Sequence, residues 1–170
     1  MYTIDARDTV SERKDVPQSS VGAPCPFVLS SEQFVHLAYY VEDPTEGWDD
    51  KTVRVVDEHS EGESCALVRF TRAVAHIFGP PNDEAFSGHP LATRGLKPYA
   101  VFEVGSSSWV RTLERMNSVH RHHKPDRFAR FKHYVFAFHD SVFECVAEGF
   151  EVSVHRGSVS TVLRNSWPKE

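Results

Sequence analysis

The chain lacks the features that name a function outright. Its three cysteines, Cys25, Cys65 and Cys145, are odd in number, far apart and in no CxxC pair. That argues against a disulfide framework and against a four-cysteine zinc site. No apolar run approaches the ~18 residues a membrane-spanning helix needs. The opening residues are too charged for a secretory signal. HExxH, GxSxG, P-loop and GxGxxG patterns are all missing, so the common metalloprotease, hydrolase and nucleotide signatures are out. A basic surplus is missing as well: net charge is −5 and the pI about 6.0. This argues against nucleic acid as a partner, although a local basic patch over 111–130 stays open. These absences together lead us to expect a cytoplasmic protein without a membrane association.

What is present suits one globular domain. The 170 residues are 40% hydrophobic and 25% charged, enough for a sizeable core. Residues 1–24 are polar and proline-containing and read as a flexible N-terminal arm. The single domain then runs over 25–167. Within it, 34–41 is rich in aromatic and branched residues and suits a strand as well as a helix. A strand is expected over 52–56, and a bent strand or two strands over 65–78, stopped by Gly79, Pro80 and Pro81. Asn82 can cap a short helical turn. Another strand follows over 97–104.

A serine after Gly105 caps the one main helix, near 108–121, on which Trp109, Leu113 and Met116 share a face. Basic residues at its end suit the helix dipole. A hairpin follows over 133–146, and short strands over 150–155 and 159–163. Closely spaced strands pair antiparallel. The fold class is therefore α+β: a predominantly antiparallel, curled β-sheet, open to barrel-like closure, with one main helix.

The hairpin carries the densest chemistry. With its turn centred on Asp140 and Ser141, Phe138 faces Phe143, Phe136 faces Cys145 and Tyr134 faces Ala147. That face is almost wholly apolar, and Cys145 on it reads as a small core residue. The other face holds His133, Val135, Ala137 and His139 against Glu148, Val146, Glu144 and Val142. His139 is then diagonal to Glu144, and His133 opposes Glu148. A one-residue slip would put charge on the greasy face, so the hydrophobic pattern supports this parity.

An imidazole beside a carboxylate is a general base, a supported metal ligand or a plain ion pair. His139, Glu144 and His133 are accordingly the catalytic candidates. Arg69 and Arg72 are the candidates for holding an anionic substrate. In the proline-rich loop, His89, Glu84 and Asp83 have donors suited to a divalent metal, at a spacing that matches no established motif. The bland alternative is that the prolines stiffen a turn and the acids favour a helix start. His120, His122 and His123 crowd a helix end and read as solvated. His36 and His76 read as hydrogen-bonded strand residues.

The run Gly-Pro-Pro-Asn-Asp-Glu together with His-Tyr-Val-Phe-Ala-Phe-His-Asp-Ser-Val-Phe-Glu-Cys is similar to segments of small uncharacterised bacterial proteins over about 78–147. The resemblance implies a bacterial source and brings no activity with it. Two function classes stand open. One is a binding module for a small ligand or a protein partner, with a regulatory or toxin-neutralising role and an acidic loop around Trp48 facing a basic partner. The other is a small enzyme using a His/Glu acid–base pair or a divalent metal, in a pocket between the 133–148 hairpin and the 79–90 loop.

Overall fold

The computed structural model describes residues 2–42 and 55–167. It contains nine strands and two helices among those residues, arranged as two antiparallel sheets. The strands are β1 (Thr9–Glu12), β2 (Phe27–Ser30), β3 (Val35–Tyr40), β4 (Ser64–Thr71), β5 (Ala75–Gly79), β6 (Val101–Gly105), β7 (Lys132–Ala137), β8 (Val142–Ala147) and β9 (Gly149–Arg156). The helices are α1 (Ser108–Asn117) and α2 (Val159–Asn165). One sheet has the order β1-β6-β7-β8-β5 and the other β2-β3-β4-β9. The expected α+β class with antiparallel pairing holds. The sheets stay open and do not close into a barrel.

Period-2 patterning decides which face goes where. Tyr134, Phe136, Phe143, Cys145 and Ala147 of β7 and β8, with Phe138 from the turn, point to the second sheet. There they meet Leu37, Tyr39, Ala66, Val68 and Phe70 of β3 and β4 in a core of buried rings and branched chains. The alternate residues of β3 and β4, including Tyr40 and Leu67, pack against Val159, Val162 and Leu163 of α2. On the far side of the five-stranded sheet, Val135, Ala137, Val142 and Val146 lie under Trp109 of α1, Tyr2, and Phe86 and Leu91 of the 80–96 loop. The order of layers is therefore α1 with loops, five strands, four strands, α2.

Several elements differ from expectation for local reasons. The 65–78 stretch is two strands, β4 and β5, which belong to different sheets. Arg72, in the turn between them, takes a left-handed backbone (φ 50°). Residues 159–163 form α2 and not a strand: Ser158 caps it by accepting from the Thr161 amide, and its apolar residues fall on one helical face. The main helix stops at Asn117, and Met116, expected on its packing face, is exposed. Of the expected 52–56 strand, 52–54 lie outside the described residues, and Val55 and Val56 are not in a strand. The loop around Trp48 lies outside them as well.

The N-terminal segment, expected as a free arm, runs along the body. β1 pairs with β6, and Ser19 bridges to Val41. The approach of β1 is so close that a β-carbon at Gly105 would stand 2.6 Å from Thr9 Oγ1, which asks for glycine there. Asp8 is buried and accepts hydrogen bonds from the amides of Asp5 and Ser108, tying this segment to the start of α1. Sequence alone hides such anchoring, because it rests on one buried carboxylate and one aromatic ring in an otherwise polar stretch.

Candidate functional site

The hairpin turns one residue earlier than expected. Phe138 donates its amide to the Ser141 carbonyl at 2.9 Å, so the turn centres on His139 and Asp140. Pairing moves by two residues: His133 faces Val146, Val135 faces Glu144, and Phe136 faces Phe143. A shift of two keeps every side chain on its expected face. It exchanges diagonal partners, however. Glu144 now sits diagonal to His133, and His139 leaves the ladder.

Glu144 is the centre of a buried polar cluster. His133 Nε2 donates to Glu144 Oε2 at 2.8 Å, and the Tyr2 hydroxyl donates to the same oxygen at 2.5 Å. His89 Nε2 lies 3.4 Å from the other carboxylate oxygen, without a well-aligned hydrogen bond. The Leu91 amide donates to His89 Nδ1 at 3.1 Å. The proton of a neutral His89 ring is therefore on Nε2, facing the carboxylate. Ser107 Oγ caps α1, accepting from the amides of Trp109 and Val110, and lies 3.0 Å from His133 Nδ1. With its lone pairs taken, that hydroxyl donates to Nδ1, which leaves His133 protonated on Nε2 as Glu144 requires.

Aromatic rings close the cluster. Tyr2 stacks on Trp109 with ring centroids 5.3 Å apart, and both meet the His133 ring edge-on. Glu144 is 3% exposed, His133 0% and His89 4%. Burial pushes the Glu144 carboxyl upward, but donors from His133, His89 and Tyr2 outweigh it and bring the pKa down to about 2. Tyr2 moves the opposite way: burial and the neighbouring Glu144 carboxylate hold its hydroxyl protonated, far above the ordinary tyrosine range. Glu144 is thus held as an ionised acceptor well below its ordinary range, and Tyr2 as a protonated donor.

The other expected site residues scatter. His139 is at the exposed turn, where its Nδ1 meets Asp140 at 2.9 Å, and that contact raises its pKa. Asp83 accepts a hydrogen bond from the Tyr99 hydroxyl, which lowers its pKa, and Glu84 is exposed. His89 turns inward to Glu144, so the expected metal trio of His89, Glu84 and Asp83 is divided. Among the described residues, no group of three or more His, Cys, Asp or Glu side chains could hold a metal ion. Arg69 bonds Ser153 within the other sheet, and Arg72 pairs with Glu148 at the surface. Glu148, expected opposite His133, lies beyond the ladder and pairs with Arg72 and Arg130.

Of the expected residues, then, three converge: His133, Glu144 and His89. Sequence reading missed Tyr2 and Ser107, which complete the cluster. Ser107 was visible only as a helix cap. Nothing in the sequence around Tyr2 marks it.

His89 of the 79–90 loop meets His133 and Glu144 of the hairpin in this buried cluster. An open concavity, one of several among the described residues, lies on the other side of Ser107. It is a cleft of ≈ 530 Å³ between α1 and residues 125–131. Half-buried Val110, Phe128 and Phe131 give it apolar walls, exposed Ser106 gives a hydroxyl, and Arg111, Lys132, Glu103, Glu114 and Asp126 give it a charged rim of both signs. Lys132 Nζ is 3.2 Å from Glu103, and Arg111 is 2.7 Å from Asp5, so both cations are already engaged. No family model, curated protein or solved structure matches the chain. No helix among the described residues is long and apolar enough to cross a membrane.

Proposed function

We propose that this chain is a non-catalytic binding module whose ligand site is the cleft between α1 and residues 125–131. One observation carries the reading. The cleft joins apolar walls to the Ser106 hydroxyl and to a charged rim of Arg111, Lys132, Glu103, Glu114 and Asp126, in a volume within the usual range of small-ligand sites. The histidine–carboxylate cluster, by contrast, has no free lone pair facing an open space. A general base must reach a substrate proton. Both ring nitrogens of His133 are occupied, and Tyr2 seals the carboxylate. We assign that cluster to holding the fold.

The ligand suited to the cleft has an apolar or aromatic body, and its anionic edge competes with Asp5 for Arg111 and with Glu103 for Lys132. Phenyl phosphate is a minimal probe of that kind. In an NMR titration, the amides of Gly105, Ser106, Val110 and Phe128 are expected to shift together. Val110→Trp, which fills the cleft, and Phe128→Ala, which removes a wall, are both expected to weaken the interaction. Shifts scattered over the surface, or confined to the turn at His139, would overturn this reading.

A second reading has one observation in its favour: Ser107 lines the cleft and bonds His133, which bonds Glu144. A hydroxyl, an imidazole and a carboxylate in series form the pattern of an activated nucleophile. Against it, Ser107 Oγ already accepts two backbone amides and is buried. Reaction with a fluorophosphonate reagent separates the two. The binding reading expects no labelling at Ser107, and labelling abolished by Ser107→Ala would establish the enzyme.

A further inference from the structure

Charge is distributed very unevenly along this chain. Residues 111–132 hold seven of its 19 Lys and Arg but only two of its 24 Asp and Glu, so the segment is +5 and the rest −10. Three of the seven cations are neutralised in place: Arg111 by Asp5, Arg130 by Glu148 and Lys132 by Glu103. The other four are Arg115, Arg121, Lys124 and Arg127. All are exposed, and among the described residues none has a carboxylate within ion-pair distance. Arg115 bonds only Thr112, and Arg121 only the His122 ring. One of the two acids, Glu114, is held by His123 Nε2 at 2.6 Å. The other, Asp126, is on the rim of the cleft.

This segment is built into the body. His123 bonds both Glu114 and Asn117 of α1, and its ring contacts Phe128. Phe128 in turn meets Phe131, with centroids 5.7 Å apart. None of the four free cations lines the cleft, but Lys124 and Arg127 flank its lining residues Pro125, Asp126 and Phe128 in the chain, and Arg115 follows Glu114 of the lining. Uncompensated like charges repel one another and add nothing to folding. Their complement is a partner that carries the opposite charge.

We propose that the exposed cations of 115–127, with the cleft they border, dock an acidic polypeptide segment that inserts one apolar or aromatic side chain between Val110, Phe128 and Phe131. The proposal rests on the binding reading of the cleft and adds the class of partner. Three observations favour a peptide over a nucleic acid. Four free cations are fewer than the roughly 6–10 phosphate contacts of a typical electrostatic nucleic-acid footprint. The rest of the chain carries a formal −10, which repels a long polyanion running beyond the patch. The phenylalanines, moreover, wall a cleft suited to a side chain and do not form a flat stacking platform.

The test is fluorescence anisotropy on the full chain with three labelled probes: a glutamate–serine peptide with one central phenylalanine, the same peptide with serine in its place, and oligothymidylate of equal charge. The phenylalanine peptide should bind most tightly and weaken as salt rises. The quadruple variant Arg115→Glu, Arg121→Glu, Lys124→Glu, Arg127→Glu should bind it at least about tenfold more weakly, since it reverses every free charge. The corresponding quadruple alanine variant guards against a folding defect and should lie between the two. Tighter binding of oligothymidylate, absence of peptide binding, or indifference to charge reversal would each overturn the proposal. Those failures would leave phenyl phosphate binding intact. Equal affinity for the two peptides, with no response to phenyl phosphate, would overturn the cleft reading itself.

Discussion

The two polar regions on the α1 side of the five-stranded sheet are built on opposite terms. Around Glu144 the polar atoms are buried, with Tyr2 and His133 donating to one carboxylate and His89 Nε2 3.4 Å from it. Along 115–127 all four cations are exposed, and among the described residues none has an acid within ion-pair distance. The difference is one of spent and unspent valence. A buried carboxylate must consume every donor near it, because leaving it unpaired is expensive. An exposed guanidinium is cheap to leave open, and an open one is available to a partner. Histidines occur in both regions, so residue type alone does not say which is the working surface.

Predictions follow this contrast from large to small. Glu144→Ala removes the acceptor of two buried donors, Tyr2 and His133, and the carboxylate nearest His89. We expect a loss of about 3–5 kcal/mol in urea unfolding, the range for breaking a buried pair. A loss near zero would mean the cluster is wet and the contrast false. The same carboxylate sets a pH dependence. Its folded pKa is near 2 against an ordinary 4.5, so the folded state holds the proton more weakly than the unfolded chain. Its contribution is complete above the unfolded value and is lost as pH falls from about 4.5 towards 2, roughly 3 kcal/mol in all. Unfolding measured across that window should lose this component in Glu144→Gln.

Tyr2→Phe is a finer probe. It keeps the stacking on Trp109 and deletes one hydroxyl donor, so we expect about 1–2 kcal/mol in the same assay. The smallest effect belongs to the exposed end of the hairpin. The His139 ring should titrate above the ordinary histidine range in NMR, because Asp140 contacts it, and Asp140→Asn should bring it down. Neither that variant nor His139→Ala should move the urea midpoint. A clear shift of the midpoint would place His139 in the load-carrying part of the fold and blur the contrast.

Much of this was legible in the residues, and the limits have physical causes. The hairpin faces follow from strict alternation, which a two-residue shift in pairing cannot scramble. The apolar side therefore appears in the inter-sheet core as expected. Partner identity depended on where the turn closes, and one residue there exchanged His139 for His133. The capping role of Ser107 was readable from local chemistry. Its bond to His133 was not, since it joins residues 26 apart across two elements. Tyr2 lies 142 residues from Glu144, in a segment whose polarity suggested a free arm. The second helix was missed because Val159, Val162 and Leu163 sit in a stretch too short to distinguish helical from extended periodicity. The division of Asp83, Glu84 and His89 follows from loop geometry that no residue spacing encodes.

The most direct measurement is the Kd of phenyl phosphate for three forms of the full chain: unsubstituted, Tyr2→Phe and Phe128→Ala. The account predicts that Tyr2→Phe, though less stable, binds as the unsubstituted chain does, while Phe128→Ala binds more weakly. The reverse order, with affinity lost when the Tyr2 hydroxyl goes and kept when the Phe128 ring goes, would put ligand at Glu144 and contradict it.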